Sequence, residues 1–249
     1  DGTTDKRSQP TRVAGNALWA RVSAGYRHVC AIDTDGGLWC WGNNDNGQLG
    51  VADADDLGSF VDELGEVGGP ITGFLRPTRV LPDSRWVAVE SGGYSTCAIT
   101  AEQSLWCWGK NDRGQLGNES ISAVALPKQV VPSATWRLST WNAVAVGGNH
   151  SCAIQDDASL WCWGDNQYHQ LGDDELVAGR TYIGGDMDQE IIVYPLANRI
   201  GASAWLAVGL GEFHSCGIRS DSTLWCWGDN REGQLGVAKE TMMEVRVEG

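Results

Sequence analysis

Short apolar segments that end in glycine recur along the whole chain and are each followed by a second, cysteine-bounded apolar segment. Segments of this length, apolar or alternating and closed by a turn residue, are typical of buried β-strands. The four that precede the cysteines are Leu18–Gly25, Trp86–Gly92, Trp141–Gly147 and Trp205–Gly209. The pattern therefore predicts an all-β chain.

One long motif, which runs from Cys30 to Gly50, occurs four times with small changes. Its copies begin at Cys30, Cys97, Cys152 and Cys216, at offsets of 67, 55 and 64 residues. These offsets exceed most helical repeat periods and suit a four-stranded propeller blade with its loops. Because each repeat must bury its core against its neighbours, we expect residues 1–249 to form a single β-propeller domain or part of one.

Proline-led segments supply the remaining strand of each repeat, as in Pro10–Val13 and Pro77–Val80. If these segments open the repeats, the blades fall at approximately 10–75, 76–126, 127–194 and 195–249. The C-terminal segment Met243–Val247 resembles Pro10–Val13, so it is predicted to be the first strand of a fifth blade.

All eight cysteines lie in the repeats, as four pairs whose members are ten residues apart. The pairs are Cys30 with Cys40, Cys97 with Cys107, Cys152 with Cys162, and Cys216 with Cys226. A hairpin between them places the two cysteines opposite each other, within reach of a disulfide. Zinc knuckles space their cysteines two to four residues apart, so metal binding is disfavoured. Four disulfides would indicate an oxidising, extracellular compartment.

The charge of the chain restricts its partners. With a net charge of −14 and a pI near 4.6, it lacks the basic face that nucleic acids and anionic membrane surfaces require. No run of eighteen apolar residues is present, so no membrane insertion is expected.

The motifs Gly-x-x-His-x-Cys-Ala-Ile and Leu-Trp-Cys-Trp-Gly-x-Asn-x-x-Gly-Gln-Leu-Gly resemble the repeats of the regulator of chromosome condensation family. The resemblance implies a β-propeller, commonly of seven blades, that presents loops to other proteins; the paired cysteines suit a secreted, bacterial-like variant. Members of the family act in nucleotide exchange, plant UV-B perception and β-lactamase inhibition, so the fold does not determine the function.

Two departures from the family pattern matter. In the plant photoreceptor a Gly-Trp-Arg-His-Thr motif supplies tryptophans, and we match its Trp position to Tyr26, Tyr94, Asn149 and Phe213, which disfavours photoreception. In addition, only four complete repeats are present. Three interpretations stay open: a small closed ring, a fragment of a longer protein, or an open array that another subunit completes.

Chemistry-bearing residues are few. His28, His150 and His214 share one repeat position; we expect structural hydrogen bonds there and keep a metal ring as the less favoured alternative. His169 replaces a turn glycine, so that turn is predicted to be strained or rearranged.

Two acidic insertions, at 51–75 and 173–194, lack the ligand spacing of an EF-hand. We expect them to be solvated loops, with calcium binding as the alternative. The sequence has no Gly-x-Ser-x-Gly elbow, phosphate loop or His-Glu-x-x-His motif, and nothing singles out a carboxylate pair for glycoside hydrolysis, so no enzyme activity is expected.

Binding is the predicted function. The repeated tryptophans are expected to pack between blades, whereas aromatic and charged residues that vary at the loop tips are expected to contact a partner. These candidate binding residues are Tyr26, Arg27, Tyr94 and Phe213. We expect a non-catalytic extracellular scaffold that binds protein, including copies of itself through open terminal blades; carbohydrate binding or cell-surface adhesion is the alternative.

Overall fold

Four antiparallel β-sheets make up the structure, and none of the residues it describes forms a helix. The computed structural model describes residues 2–13, 15–52, 55–61, 67–130, 140–172, 181–183, 191–236 and 245–246. No helix capable of spanning a bilayer is found in this part of the chain. We call the four sheets blades 1 to 4, in chain order.

Each blade is built around one cysteine-bounded hairpin. Blade 1 consists of Trp19–Ala24 (β1), His28–Asp33 (β2), Leu38–Asn43 (β3), Asp55–Val61 (β4) and Val67–Val80 (β5), in the spatial order β1-β2-β3-β5-β4. Blade 2 consists of Trp86–Ser91 (β6), Ser95–Thr100 (β7), Leu105–Gly109 (β8) and Val124–Gln129 (β9), in chain order.

Blades 3 and 4 repeat the two arrangements. Blade 3 consists of Trp141–Val146 (β10), His150–Gln155 (β11), Leu160–Asp165 (β12), Thr181–Ile183 (β13) and Ile191–Arg199 (β14), in the order β10-β11-β12-β14-β13. Blade 4 consists of Trp205–Leu210 (β15), His214–Arg219 (β16), Leu224–Gly228 (β17) and Val245–Arg246 (β18), in chain order.

The cysteine pairing is confirmed. Cys30 lies directly opposite Cys40 in the ladder between β2 and β3, with Cα atoms 4.1 Å apart, and the two form a disulfide. The other three blades have the same register and the same bond, between Cys97 and Cys107, between Cys152 and Cys162, and between Cys216 and Cys226.

The loops of these hairpins follow one pattern. Each loop contains one residue with positive φ, as an odd-numbered loop of this kind requires. These residues are Gly36, Gln103, Ala158 and Ser222.

The structure corrects the expected position of the proline-led strands. The segment that contains Pro77 pairs with β3, so it is the outer strand of blade 1 and not the first strand of blade 2. Likewise, Val245–Arg246 (β18), the described part of the segment 243–247, pairs with β17 and completes blade 4, so the prediction that it begins a fifth blade is wrong. A repeat is a cyclic pattern, and the sequence alone does not say at which strand a sheet begins.

Three apolar clusters lie between successive blades and form the core. Between blades 1 and 2, Ile32 and Leu38 pack with Trp86, Val89 and Trp108. Equivalent clusters join blades 2 and 3 and blades 3 and 4. The tryptophans that follow the second cysteines of blades 2 to 4 are buried in these clusters, which confirms their predicted packing role.

Candidate protein-binding face at the inner turns

The turns between the first and second strands of the four blades converge on one cavity. The backbone N–H of Tyr26 donates to the carbonyl of Gly93 over 3.2 Å. The N–H of Gly93 in turn donates to the carbonyl of Gly147 over 3.1 Å. Turns from all four blades line a cavity of about 280 Å³. Backbone hydrogen bonds therefore hold the turns of blades 1, 2 and 3 in a fixed relative arrangement, and the turn of blade 4 completes the lining of the cavity.

All four predicted binding residues lie in these turns, which we call the inner-turn face. The rings of Tyr26 and Tyr94 meet edge to face, with centroids 5.6 Å apart. Tyr26 is 60% exposed, and the neighbouring Arg27 is also exposed. The structure thus brings Tyr26, Arg27 and Tyr94 together, while Phe213 lies in the turn of blade 4.

Phe213 belongs to a second aromatic pair, whose other member sequence reasoning missed. Its ring lies 5.2 Å from that of Tyr168, and the guanidinium of Arg231 lies 4.8 Å from the Tyr168 ring centroid. Tyr168 and Arg231 stand in the variable x-x positions of the Gly-x-Asn-x-x-Gly-Gln turns. Variation within an otherwise fixed repeat is the sequence signal by which these two residues could have been found.

Charged groups accompany both pairs. The ammonium of Lys110 lies 5.9 Å from the Tyr94 ring centroid, within cation–π range. Arg231 binds the carboxylate of Asp229 through both nitrogens Nε and Nη2, and this hydrogen bonding lowers the pKa of Asp229. Partial burial and then the carboxylate of Glu212, across the cavity in blade 4, raise the pKa of Tyr26.

The strand register corrects the match of these turns to the photoreceptor motif. His28 pairs with Gly42 and Ser95 with Gly109, so Ser95 is the equivalent of His28. Counting back two residues, the position of Tyr26 is held by Gly93, Gly148 and Glu212 in the other blades, and not by Tyr94, Asn149 and Phe213. Tryptophan is still absent from all four positions.

Two of the three shared histidines, His28 and His150, form hydrogen bonds between blades. His28 Nε2 lies 2.8 Å from Thr96 Oγ1 and His150 Nε2 lies 2.9 Å from Ser215 Oγ. Burial lowers the pKa of His28 to about 4 and, with a smaller effect of His214, that of His150 to about 3. For His28 and His150, these contacts confirm the structural hydrogen bonds that the sequence analysis favoured.

The calcium alternative falls largely outside the described residues, since the side chains of 53–71 and 173–192 are not described. Among the side chains that are described, no cluster of three or more His, Cys, Asp or Glu is arranged to hold a metal ion.

Two family models, both described as the regulator of chromosome condensation (RCC1) repeat, match this chain. One matches residues 19–48, 86–115, 141–170 and 205–234, and the other matches 35–99 and 102–154. Together they cover well over half of the sequence. The chain belongs to the RCC1 repeat family.

The relatives of this RCC1 chain are diverse and mostly longer. It is 27% identical over 217 residues to the ultraviolet-B receptor UVR8 of Arabidopsis thaliana, which covers 87% of this chain and 42% of the receptor. It is 26% identical over 219 residues to the E3 ubiquitin-protein ligase HERC2 of Mus musculus, which covers 86% of this chain and 4% of the ligase.

Yeast RCC1 (Prp20), solved in complex with Kap60, has the same fold. The TM-score is 0.75 at 20% identity, and the match covers 96% of this chain and 50% of the yeast protein. The RCC1 chain is therefore a β-propeller array of four blades that spans about half the length of the yeast propeller protein. At this identity the likeness establishes the fold and not the partner.

Proposed function

We propose that this RCC1 chain is a non-catalytic, extracellular protein-binding scaffold that engages its partner through the inner-turn face. The observation that carries the proposal is the pairing of half-exposed aromatic rings with cations at and beside the inner turns, of which those of blades 1 to 3 are hydrogen-bonded from blade to blade. Tyr26 with Tyr94 and Tyr168 with Phe213 form two such pairs. Because the turns are already ordered, binding requires little further loss of conformational entropy.

The composition of the face favours a protein partner. Tyr, Phe and Arg are enriched at the centres of protein–protein interfaces, where a few aromatic and Arg side chains supply most of the binding energy. Among the relatives, yeast RCC1 was solved bound to another protein, Kap60. A non-catalytic role is consistent with the side chains at this face, which are rings and ion pairs without a paired nucleophile and base.

The four disulfides support the extracellular location. Each is a local staple across a hairpin, and all eight cysteines are used. Disulfides persist in oxidising compartments and are rare in the cytosol. The acidic net charge of −14 is compatible with solubility in such an environment.

A photocrosslinking experiment tests the inner-turn face. A benzophenone amino acid replaces Tyr26 in one variant and, as a matched control, the exposed Leu126 on the outer strand β9 in another. We expect the extracellular fraction of the source organism to yield a discrete protein adduct from position 26 only. The adduct should weaken when Phe213→Ala and Arg231→Ala are added. Adducts of equal intensity at both positions would contradict the proposal.

A glycan array separates the carbohydrate alternative from protein binding. A protein-binding scaffold should show no sugar preference. Sugar-specific binding that disappears in Tyr26→Ala would replace the protein partner with a carbohydrate.

The ends of the array offer a second mode of protein binding. Among the described residues, no blade precedes blade 1 and none follows blade 4, so each presents apolar side chains that inner blades bury. Val22 is 70% exposed, whereas the equivalent Val89 is 4% exposed. We include propeller blades of other chains, or of a second copy of this chain, among the proposed partners. Light scattering detects association with a second copy as a mass above the 26.8 kDa of one chain.

A further inference from the structure

Neighbouring blades are joined by a repeated hydrogen-bond arrangement, which we call the carbonyl lock. In the first instance, the backbone carbonyl of Gln48 in blade 1 accepts from Thr96 Oγ1 over 2.8 Å and from Trp108 Nε1 over 3.0 Å, both in blade 2. The second uses Gln115 with Ser151 and Trp163, and the third uses Gln170 with Ser215 and Trp227.

A glycine two residues after each of these glutamines makes room for the tryptophan. A Cβ on Gly50 would lie 2.8 Å from Trp108 Nε1, and the same holds for Gly117 with Trp163 and for Gly172 with Trp227. Each of these glycines also has a positive φ. The acceptor side of the lock is thus shaped for an indole ring.

The hydroxyl is the central donor of the lock in two of the three interfaces. Thr96 Oγ1 also contacts His28 Nε2, and Ser215 Oγ also contacts His150 Nε2. The hydroxyl therefore satisfies a buried histidine nitrogen and a backbone carbonyl together. Without it, the buried histidine nitrogen would lack a hydrogen-bonding partner, which is costly away from water.

Blade 4 carries a complete acceptor side for which the described part of the chain supplies no donor. His214, Gln234 and Gly236 (φ 71°) occupy the positions of His150, Gln170 and Gly172. No described residue donates to the Gln234 carbonyl or contacts His214 Nε2 as in the inner interfaces. Ile218 and Leu224 are each 40% exposed here, whereas their equivalents in blades 1 to 3 are buried. We call these five residues of blade 4 the end face.

Blade 1 carries only part of the donor side. Trp41 stands where Trp108 stands in blade 2, and its indole N–H has no hydrogen-bond acceptor among the described residues. Val29, however, occupies the position of Thr96, Ser151 and Ser215 directly before the first cysteine. A valine cannot donate to a carbonyl or satisfy a histidine nitrogen.

We propose that the end face binds a propeller blade of the same repeat type that carries Ser or Thr before its first cysteine position and Trp after its second. A second copy of this chain is a poor occupant, because Val29 would leave His214 Nε2 without a partner. This inference rests on the end-face mode proposed above and is independent of the inner-turn face. The required residues of the partner blade are those that form the carbonyl lock at the three interfaces within the chain.

The substitution Val29→Thr tests the inference, since it installs the missing hydroxyl on an isosteric side chain. We expect Val29→Thr to tighten self-association at least fivefold relative to the unchanged chain, as measured by sedimentation velocity over a concentration series. Thermal melts of the monomer verify that both chains fold.

Two further variants, each made in the Val29→Thr background, locate the contact. Ile218→Asp on the end face, or Trp41→Phe on the donor side, should abolish the gain. Leu206→Asp is the matched control: Leu206 is 60% exposed in the same blade, but the equivalent Val87 is exposed in blade 2 as well, so the gain should remain.

Two results would overturn the inference. Equal self-association with and without the hydroxyl, weak or strong, would show that the hydroxyl does not select the occupant; if strong, the second copy is the occupant. A gain that survives Ile218→Asp would place the contact elsewhere. Neither result touches the inner-turn face, which the crosslink at position 26 tests separately.

Discussion

His150 Nε2 lies 2.9 Å from Ser215 Oγ, across the boundary between blades 3 and 4. The imidazole is fully buried, and burial lowers its pKa to about 3. The histidine is therefore neutral in the folded state and has its ordinary affinity for protons once the chain unfolds. A buried neutral histidine makes folding stability depend on pH.

The first prediction is a loss of stability on acidification that depends on His150. Between pH 6.5 and pH 3 the unfolded state binds more protons at this site, so the stabilisation is complete above pH 6.5 and is lost as the pH falls. We expect the free energy of unfolding, from urea titrations at pH 7.5 and 5.0, to fall by about 2 kcal/mol more in the unchanged chain than in His150→Asn.

The comparison with the variant is needed because other groups titrate in the opposite sense. Burial raises the pKa of Glu90 and of Asp165, so these carboxyls stabilise the fold as the pH falls. The difference between the two chains removes their effect. A pH dependence that is identical in both chains would mean that His150 is not held neutral by the fold.

The second prediction concerns the carbonyl lock between blades 2 and 3. Trp163→Phe removes the indole N–H that donates to the Gln115 carbonyl over 2.9 Å and leaves a space in a buried cluster. We expect the free energy of unfolding to fall by about 2–4 kcal/mol, from the lost hydrogen bond and the cavity together.

Trp41→Phe is the matched control for the lock. Trp41 is the equivalent residue in blade 1, but it is only half-buried and makes no such hydrogen bond within the described residues. Its replacement should change the free energy of unfolding by less than about 1 kcal/mol. Equal effects of the two substitutions would show that the lock contributes nothing beyond ring packing.

The sequence predicted most of the architecture because the repeat constrains it so tightly. The separation of ten positions from Cys30 to Cys40 allows one hairpin register in which both lie opposite each other, and the structure has that register. The membership of the strand at Pro77 was not predictable in the same way. A repeating sequence pattern is the same whichever strand is taken as the first of the repeat. Only the pairing of β5 with β3 shows that the Pro77 strand belongs to blade 1.

The candidate site was only partly accessible from sequence. Variation at fixed repeat positions singled out Tyr26 and Tyr94 one by one, but their edge-to-face contact depends on how two blades meet. Tyr168 was missed because its partner, Phe213, lies 45 residues away in another blade. Contacts between repeats follow from three-dimensional packing, which a repeat pattern does not encode.

The third prediction concerns the disulfides. Cys97→Ala with Cys107→Ala should lower the free energy of unfolding by about 2–3 kcal/mol, because the short closed loop regains its entropy in the unfolded state. Thiol titration of the unchanged chain, under denaturing conditions without reductant, should find no free thiol. A reactive thiol in protein purified from its native compartment would contradict both the bond and the extracellular location.

The last prediction uses a turn in which one blade departs from the others. His169 has φ 59° where the equivalent Gly233 has φ 79°, and the turn is not rearranged. In both turns the residue donates its N–H to an Asn carbonyl three residues earlier, over 3.1 Å. Of the two outcomes predicted for this turn, strained or rearranged, the structure therefore shows the strained one. A non-glycine residue in this region costs about 1–2 kcal/mol, which the lower entropy of its unfolded state partly offsets.

We therefore expect His169→Gly to raise the free energy of unfolding by about 0.5–1 kcal/mol. The reciprocal control is Gly233→Ala, which should lower it by a similar amount; a Cβ there would meet no atom within 4 Å, so only the backbone conformation is tested. Urea midpoints at one pH measure both. If His169→Gly destabilises the chain while Gly233→Ala behaves as expected, contacts of the imidazole outweigh the backbone strain, and His169 is held in place by its side chain.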